Sequence, residues 1–336
     1  MTDVAESARV EIEAPDITAY AAGNSGIPYV WRFEADRPGP SVAIVAVTHG
    51  NEICGAVVLD ELLREGVRPS RGRLVLAFAN VAAYERFDPA RPSASRFVDE
   101  DLNRVWSREM LDGPRKSAEL RRARELRPMV DDADLLLDIH TMQQRNVPLM
   151  LAGPLAKGRD LACRLRYPKH VICDAGHAAG RRMRDYGGFG DPVSGKNALL
   201  IECGQHWERE SVDVAREMTW RFLAESGAVE PFMARGRLRR RDVTPHVIEV
   251  TEAVTIRSPD FVFTEPFAGM EVIPHRGTVI AHEADEPVTT PYDDCVLIMP
   301  TRRICPGQTA VRLGRFVAGS DRQGSDRQGE TKCTSC

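Results

Sequence analysis

The sequence predicts an α/β fold with a small all-β unit at its C-terminal end, on three observations. From residue 41 to residue 227, short apolar runs of strand length alternate with longer segments of helical period, the pattern of a mostly parallel or mixed sheet covered by helices. The apolar runs Ser41-Val-Ala-Ile-Val-Ala-Val47 and Leu135-Leu-Leu-Asp-Ile139 are nearly continuous rather than strictly alternating, as strands buried on both faces require. Beyond Gly227 the helical period disappears, and strand-like pieces are broken by Pro and Gly. A chain of 336 residues with 43% hydrophobic content can sustain one large core and a smaller second one.

Taken in order, Val10-Glu-Ile-Glu13 and Ile27-Pro-Tyr-Val-Trp-Arg-Phe33 alternate and predict edge strands. Strands are expected at 42–47, 73–79, 135–139, 149–152, 170–173 and 198–202, with helices at 54–65, 114–130, 155–165 and 208–226. Further strands are expected at 243–255, 261–263, 279–282, 295–299 and 309–313. These divide the chain into an α/β domain over 1–234, a β domain over 235–317 and a polar tail over 318–336. In the tail, Gly319-Ser-Asp-Arg-Gln323 is repeated at once, a composition expected to stay disordered.

Composition excludes several classes. The 45 basic and 49 acidic side chains give a net charge of −4, without the global basic field that nucleic-acid binding needs. The run Arg235-Gly-Arg-Leu-Arg-Arg-Arg241 reads as a solvated linker. The first sixteen residues lack a basic-then-apolar leader, and no apolar stretch is long enough to span a bilayer, so a cytoplasmic protein without membrane contact is expected. Cys54, Cys163, Cys173, Cys203 and Cys295 sit singly in apolar runs as small buried residues, in keeping with a reducing compartment. Cys333 and Cys336 have no second pair nearby and do not read as a metal site. An edge strand or exposed helix leaves a homo-oligomer open.

The chemistry concentrates at strand ends. His49-Gly-Asn-Glu52 places two ligand-type residues three positions apart at a strand-to-helix turn, where Gly50 permits close backbone approach. His140 ends another strand, and Asp138 lies two positions earlier on the same face, able to orient an imidazole or to pair with an arginine. Each residue alone is equally a helix cap or a hydrogen-bonded core group. Together, two imidazoles and a carboxylate with a fourth position left open make the ligand set of one catalytic zinc ion per chain. Glu202 ends the strand Asn197-Ala-Leu-Leu-Ile-Glu202, where a carboxylate suits a general base; opening the next helix or pairing with an arginine is its alternative. Arg96, Asn103 and Arg104, in a charged loop without period, offer planar donors for a carboxylate or an oxyanion, as does any solvated loop.

His49-Gly-Asn-Glu52, then Arg96 seven positions before the Asn of Asp101-Leu-Asn-Arg104, then Asp138-Ile-His140, then Ile201-Glu-Cys-Gly204, resemble in that order the succinylglutamate desuccinylase/aspartoacylase family, relatives of the zinc carboxypeptidases. The resemblance implies a zinc carboxypeptidase-like fold over roughly 41–227 and hydrolysis of the amide of a small N-acyl amino acid. It implies His49, Glu52 and His140 as zinc ligands, Arg96 polarising the scissile carbonyl, Asn103 and Arg104 gripping a substrate carboxylate, and Glu202 as base and then acid. A peptide-cleaving zinc carboxypeptidase and a non-catalytic carboxylate-binding protein are the competing readings. The further substrate-binding arginine that aspartoacylases carry just before the base is absent from Gly190-Asp-Pro-Val-Ser-Gly-Lys196. Arg181, Arg182, Arg184 or Lys196 stand in as replacements, and Tyr292 is the candidate for a tyrosine expected from the C-terminal lobe.

Overall fold

In the computed structural model, residues 9–177 and 179–317 are described, so the expectations for residues 318–336 lie outside the described residues. The first half contains β1 (Val30–Glu34), β2 (Ser41–Ala46), α1 (Cys54–Arg64), β3 (Arg73–Phe78), α2 (Val81–Tyr84), α3 (Arg108–Asp112), α4 (Ala118–Asp132) and β4 (Leu135–Met142). The chain continues through β5 (Leu149–Leu151), α5 (Ala156–Arg164), β6 (His170–Cys173), β7 (Asn197–Gln205), α6 (Arg209–Glu225) and α7 (Pro231–Arg235). Seven strands complete it: β8 (His246–Thr255), β9 (Phe261–Phe263), β10 (Glu271–Ile273), β11 (Val279–Glu283), β12 (Glu286–Thr289), β13 (Cys295–Ile298) and β14 (Thr309–Phe316).

One mixed sheet runs in the order β1-β3-β2-β4-β7-β5-β6-β8-β14-β13-β10, and β12-β11-β9 form a separate small antiparallel sheet. Strands β3, β2, β4 and β7 are mutually parallel, which brings their carboxyl ends to one edge. The C-terminal strands are joined to them by hydrogen bonds, β8 pairing parallel to β6 and antiparallel to β14. Leu149, Leu151, Ile172 and Leu200 share an apolar cluster with Ile248, Val296 and Ile298, so apolar packing also links the two parts.

The period of two along the central strands decides what each face carries. Val42, Ile44 and Ala46, Leu137 and Ile139, and Leu199, Ile201 and Cys203 face the core shared with α1 and α6. Ala43 and Val45, Leu136 and Ala198 face the opposite core, against Leu120, Ala123 and Leu126 of α4. Asp138, His140 and Glu202 alternate onto that second face. They lie beyond its apolar residues, toward the carboxyl edge.

Three sequence expectations need correction. Residues 10–13 are not a strand: Glu11 makes one backbone bond, to the Trp207 carbonyl, while Ile12 is buried in the helix-side core. Strands β4 and β7 run past the predicted ends, because backbone pairing continues through His140↔Glu202 and, after a bulge, Met142↔Gln205. Among the cysteines, Cys54, Cys203 and Cys295 are buried, but Cys163 and Cys173 are only partly so. The short strands β10 and β12 had no sequence signal, being three and four residues long, the latter with a proline. No helix among the described residues is long and apolar enough to cross a membrane.

Candidate metal centre and substrate pocket

After β2 the chain turns sharply, Val47 adopting φ +52° and Glu52 N–H donating to the His49 carbonyl at 3.1 Å. This turn aims His49 and Glu52 at the same point, and His140 reaches it from the neighbouring strand. One nitrogen of each imidazole and one oxygen of Glu52 lie within 4.8 Å of one another, all three residues being buried. His49 Nδ1 is 2.7 Å from Glu52 Oε1, and His140 Nδ1 is 2.9 Å from Glu52 Oε2.

The far side of each ring also meets a carboxylate. His49 Nε2 lies 2.8 Å from Asp101 Oδ1, and His140 Nε2 lies 2.8 Å from Asp138 Oδ2. A ring that gives its Nε2–H to a carboxylate presents a lone pair at Nδ1, as ligating histidines do. Both Nδ1 atoms face the Glu52 carboxylate, a contact that ring protons or a shared cation would satisfy. Asp138 also accepts from Thr48 Oγ1 at 2.8 Å, so it serves the histidine rather than an arginine. Two buried imidazoles and a carboxylate fit zinc in donor type and number.

Electrostatics agree with a cation-seeking site. Burial opposes ionisation of Glu52, but His49 and His140 outweigh it and hold the carboxyl well below its usual range. Burial likewise opposes charge on His140, yet Asp138 and Glu52 raise its pKa well above the ordinary histidine value. Glu202 is different. It pairs in register with His140, is 8% exposed, and its Oε2 has no hydrogen-bond partner. Burial and the Glu52 charge push its pKa up to about 8 against the pull of His140 and Arg96. It is a proton-holding carboxyl beside the cluster.

The predicted cationic loop arrives at the same place. Gly50 N–H donates to the Arg96 carbonyl at 3.0 Å, which anchors the loop to the turn. Arg96 Nη1 donates to Glu52 Oε1 at 3.1 Å and Nη2 to Asp101 Oδ2 at 3.2 Å. Asn103 is buried, its Oδ1 accepting from Met183 N at 2.9 Å and its Nδ2 lying 3.4 Å from His140 Nε2. Arg104 Nη1 donates to the Asn103 carbonyl at 2.8 Å. Seven of the eight predicted residues thus converge. Tyr292 does not join them: its hydroxyl lies 2.6 Å from Thr251 Oγ1, and Arg315 sits over its ring.

Several contributing residues had no sequence signal of their own. Thr141 N–H donates to Glu52 Oε2 at 3.1 Å, and Thr141 Oγ1 contacts His206 Nδ1 at 2.8 Å. Asp101 sat inside the Asp-Leu-Asn-Arg motif, but only its contacts with His49 and Arg96 reveal what it does. Glu119 is fully buried on α4, and its two oxygens accept from the backbone N–H groups of Val98, Asp99 and Glu100 at 2.7–3.2 Å. It therefore holds the loop bearing Arg96 and Asp101. Glu119→Gln turns an acceptor into a donor facing backbone donors; we expect a loss of about 1–3 kcal/mol in urea unfolding, with reduced turnover.

With this geometry established, comparison with known proteins is informative. The sequence profile of the "Succinylglutamate desuccinylase/Aspartoacylase catalytic domain" matches residues 38–225. The succinylglutamate desuccinylase of Burkholderia orbicola is 26% identical over 302 residues, covering 84% of this chain and 82% of that protein. Mouse (Mus musculus) aspartoacylase is 33% identical over 115 residues, covering 32% of this chain and 35% of that one. Among solved structures, a succinylglutamate desuccinylase from Vibrio parahaemolyticus superposes with a TM-score of 0.62 at 17% identity, covering 86% of each chain. At that identity the likeness speaks for the fold alone.

Proposed function

Because this chain belongs to the succinylglutamate desuccinylase/aspartoacylase family, we propose that it is a zinc-dependent deacylase that hydrolyses the amide of a small N-acyl amino acid. The observation that carries this reading is Glu202, a buried carboxyl with an unpartnered oxygen, in register with His140 of the His-Glu-His cluster. Most buried carboxylates are paired. A general base has to keep an oxygen free for the proton it takes.

His49, Glu52 and His140 hold the zinc. Bound there, zinc supplies Lewis acidity, which makes water nucleophilic near neutral pH and polarises the scissile carbonyl. Asp101 and Asp138, each with an oxygen 2.8 Å from an Nε2, back the two imidazoles from the side away from Glu52. Glu202 accepts the proton of the attacking water and returns it to the departing nitrogen, so that one amide and one water become one carboxylic acid and one amine. Arg96, whose side chain is 35% exposed, places positive charge beside the cluster for the oxyanion. Arg104, 22% exposed, offers its guanidinium to the α-carboxylate, and Asn103 holds the loop in place through Met183.

The test is a turnover screen of N-acetyl, N-succinyl and N-formyl amino acids against dipeptides and longer peptides, on zinc-loaded protein. Preference for N-acyl amino acids is expected; preference for peptides would replace this reading with a carboxypeptidase. Chelation is expected to abolish hydrolysis and stoichiometric zinc to restore it, with elemental analysis finding one zinc per chain. Activity surviving complete chelation removes the metal from the proposal.

A further inference from the structure

Gln205-His206-Trp207 leaves the strand that carries Glu202 and has no part in the proposed chemistry, yet it reaches the metal cluster along two routes. Trp207 Nε1 donates to the Asn51 carbonyl at 3.1 Å, inside the turn that carries His49 and Glu52. His206 is 3% exposed, and its Nδ1 lies 2.8 Å from Thr141 Oγ1.

A bulge brings the ring to that hydroxyl. Strand β7 pairs with β4 as far as His140↔Glu202 and resumes at Met142↔Gln205, so Cys203 and Gly204 together oppose Thr141. Gly204 takes the extra step at φ +116°, a conformation that a side chain would resist. The His206 N–H then donates to the Met142 carbonyl at 2.9 Å. Thr141 stands two positions after Ile139 on β4, so its side chain lies on the α1/α6 face, opposite to that of His140. Pairing of β4 with β2 ends at Val45↔Asp138, and beyond that end the Thr141 N–H donates to Glu52 Oε2 at 3.1 Å.

Thr141 therefore links ring and carboxylate, its hydroxyl to His206 and its N–H to Glu52. Burial lowers the His206 pKa to about 4, against the pull of Glu52 and together with Arg96, His49 and His140, so the ring is neutral and adds no charge against a cation. Filling the core does not call for this polar pair, since two apolar groups of the same shape would do so equally well. What the pair adds is direction. A hydroxyl held by the ring fixes Thr141, and with it the N–H from which Glu52 accepts.

We propose that His206 is a positioning residue for the metal centre: it holds Thr141, and Thr141 holds Glu52 in the orientation in which that carboxylate shares a cation with His49 and His140. The role rests on the zinc reading of the cluster. His206 acts through Thr141 alone and takes no part in the reaction itself. The strand that carries the base thereby also steadies a ligand of the metal.

The experiment measures zinc affinity of the full chain by competition with a chromophoric chelator, for wild type, His206→Leu, His206→Asn, Thr141→Val and the double variant His206→Leu/Thr141→Val. His206→Leu and Thr141→Val are each expected to weaken zinc binding on the order of 10- to 100-fold. The double variant should lose no more than either single one, because both break the same chain of contacts. His206→Asn, whose amide takes the place of Nδ1 beside the Thr141 hydroxyl, should recover most of the affinity. A merely structural role would lower the melting temperature of the metal-free protein and leave zinc affinity untouched; that result overturns the proposal, as does an additive loss in the double variant. If His206→Leu does not fold, Thr141→Val decides alone: a 10-fold weaker affinity supports the role, and unchanged affinity overturns it. Wild type that binds no zinc defeats the metal centre and this role with it, whereas zinc-binding wild type with unaffected variants defeats the role of His206 only.

Discussion

Zinc-loaded Glu202→Gln protein is expected to retain its metal and its fold and to lose hydrolysis by about 10²–10⁴-fold, the range that proton transfer by a positioned carboxylate supplies. The substitution preserves shape and removes only the capacity to take and return a proton. Glu202 is not among the three clustered ligands, so zinc content by elemental analysis should not change. Its pH dependence provides a second signature. A base works only when deprotonated, so activity should rise with pH through the Glu202 pKa. Burial and Glu52 push that value up to about 8. A dication bound beside it draws the value down, so the rising limb falls below pH 8 in the zinc enzyme. Fall-off on the acid side should persist in wild type and vanish in the residual activity of Glu202→Gln. Near-normal turnover by the metal-loaded variant would remove the base assignment.

Gly50→Ala should be as damaging by a different route. A Cβ at residue 50 would meet the Ala83 carbonyl carbon, the Ser95 carbonyl oxygen and the Tyr84 nitrogen at 2.4–2.5 Å. All three are backbone atoms, so no side-chain rotation relieves the contact. The turn must move, and with it His49, Glu52 and the bond from Gly50 N–H to the Arg96 carbonyl. Overpacking of this kind costs about 1–3 kcal/mol, at the upper end where the neighbours are backbone. Displacing the ligand turn by about 1 Å costs roughly 10²-fold in rate. The expectation is a lowered melting temperature together with weaker zinc retention and a fall in kcat/KM. A variant with unchanged melting temperature, zinc content and turnover would show that the turn has room that the structure does not provide.

The two variants separate the parts of the site that were legible in different ways. Glu202 could be singled out in the sequence, because a carboxylate closing an apolar run of strand length has few structural uses. Gly50 could be noticed only as a glycine within a ligand-like motif; its value lies in backbone atoms from residues 83, 84 and 95, which no local pattern connects to it. Asp101 and Glu119 belong to the same class. Each looks like an ordinary acid in a charged stretch or on a helix, and each becomes a site residue only through contacts made across the fold, with His49 and with the N–H groups of residues 98–100 respectively.

The sequence by itself determined the α/β alternation and most of its strands and helices, since hydrophobic period and turn chemistry act over a few neighbours. It also marked His49, Glu52 and His140 as candidate ligands, Glu202 as a candidate base and residues 96–104 as a cationic loop, because metal and proton chemistry restrict which side chains can serve. Tertiary structure alone decided how these combine. The His140↔Glu202 register sets the candidate base beside the candidate ligand, and a carboxylate lies behind each ring. Continuation of the main sheet into the C-terminal strands leaves Tyr292 bonded to Thr251 and covered by Arg315. Pairing between residues dozens of positions apart depends on the packing of whole sheets and on burial, which leave no local pattern in the chain.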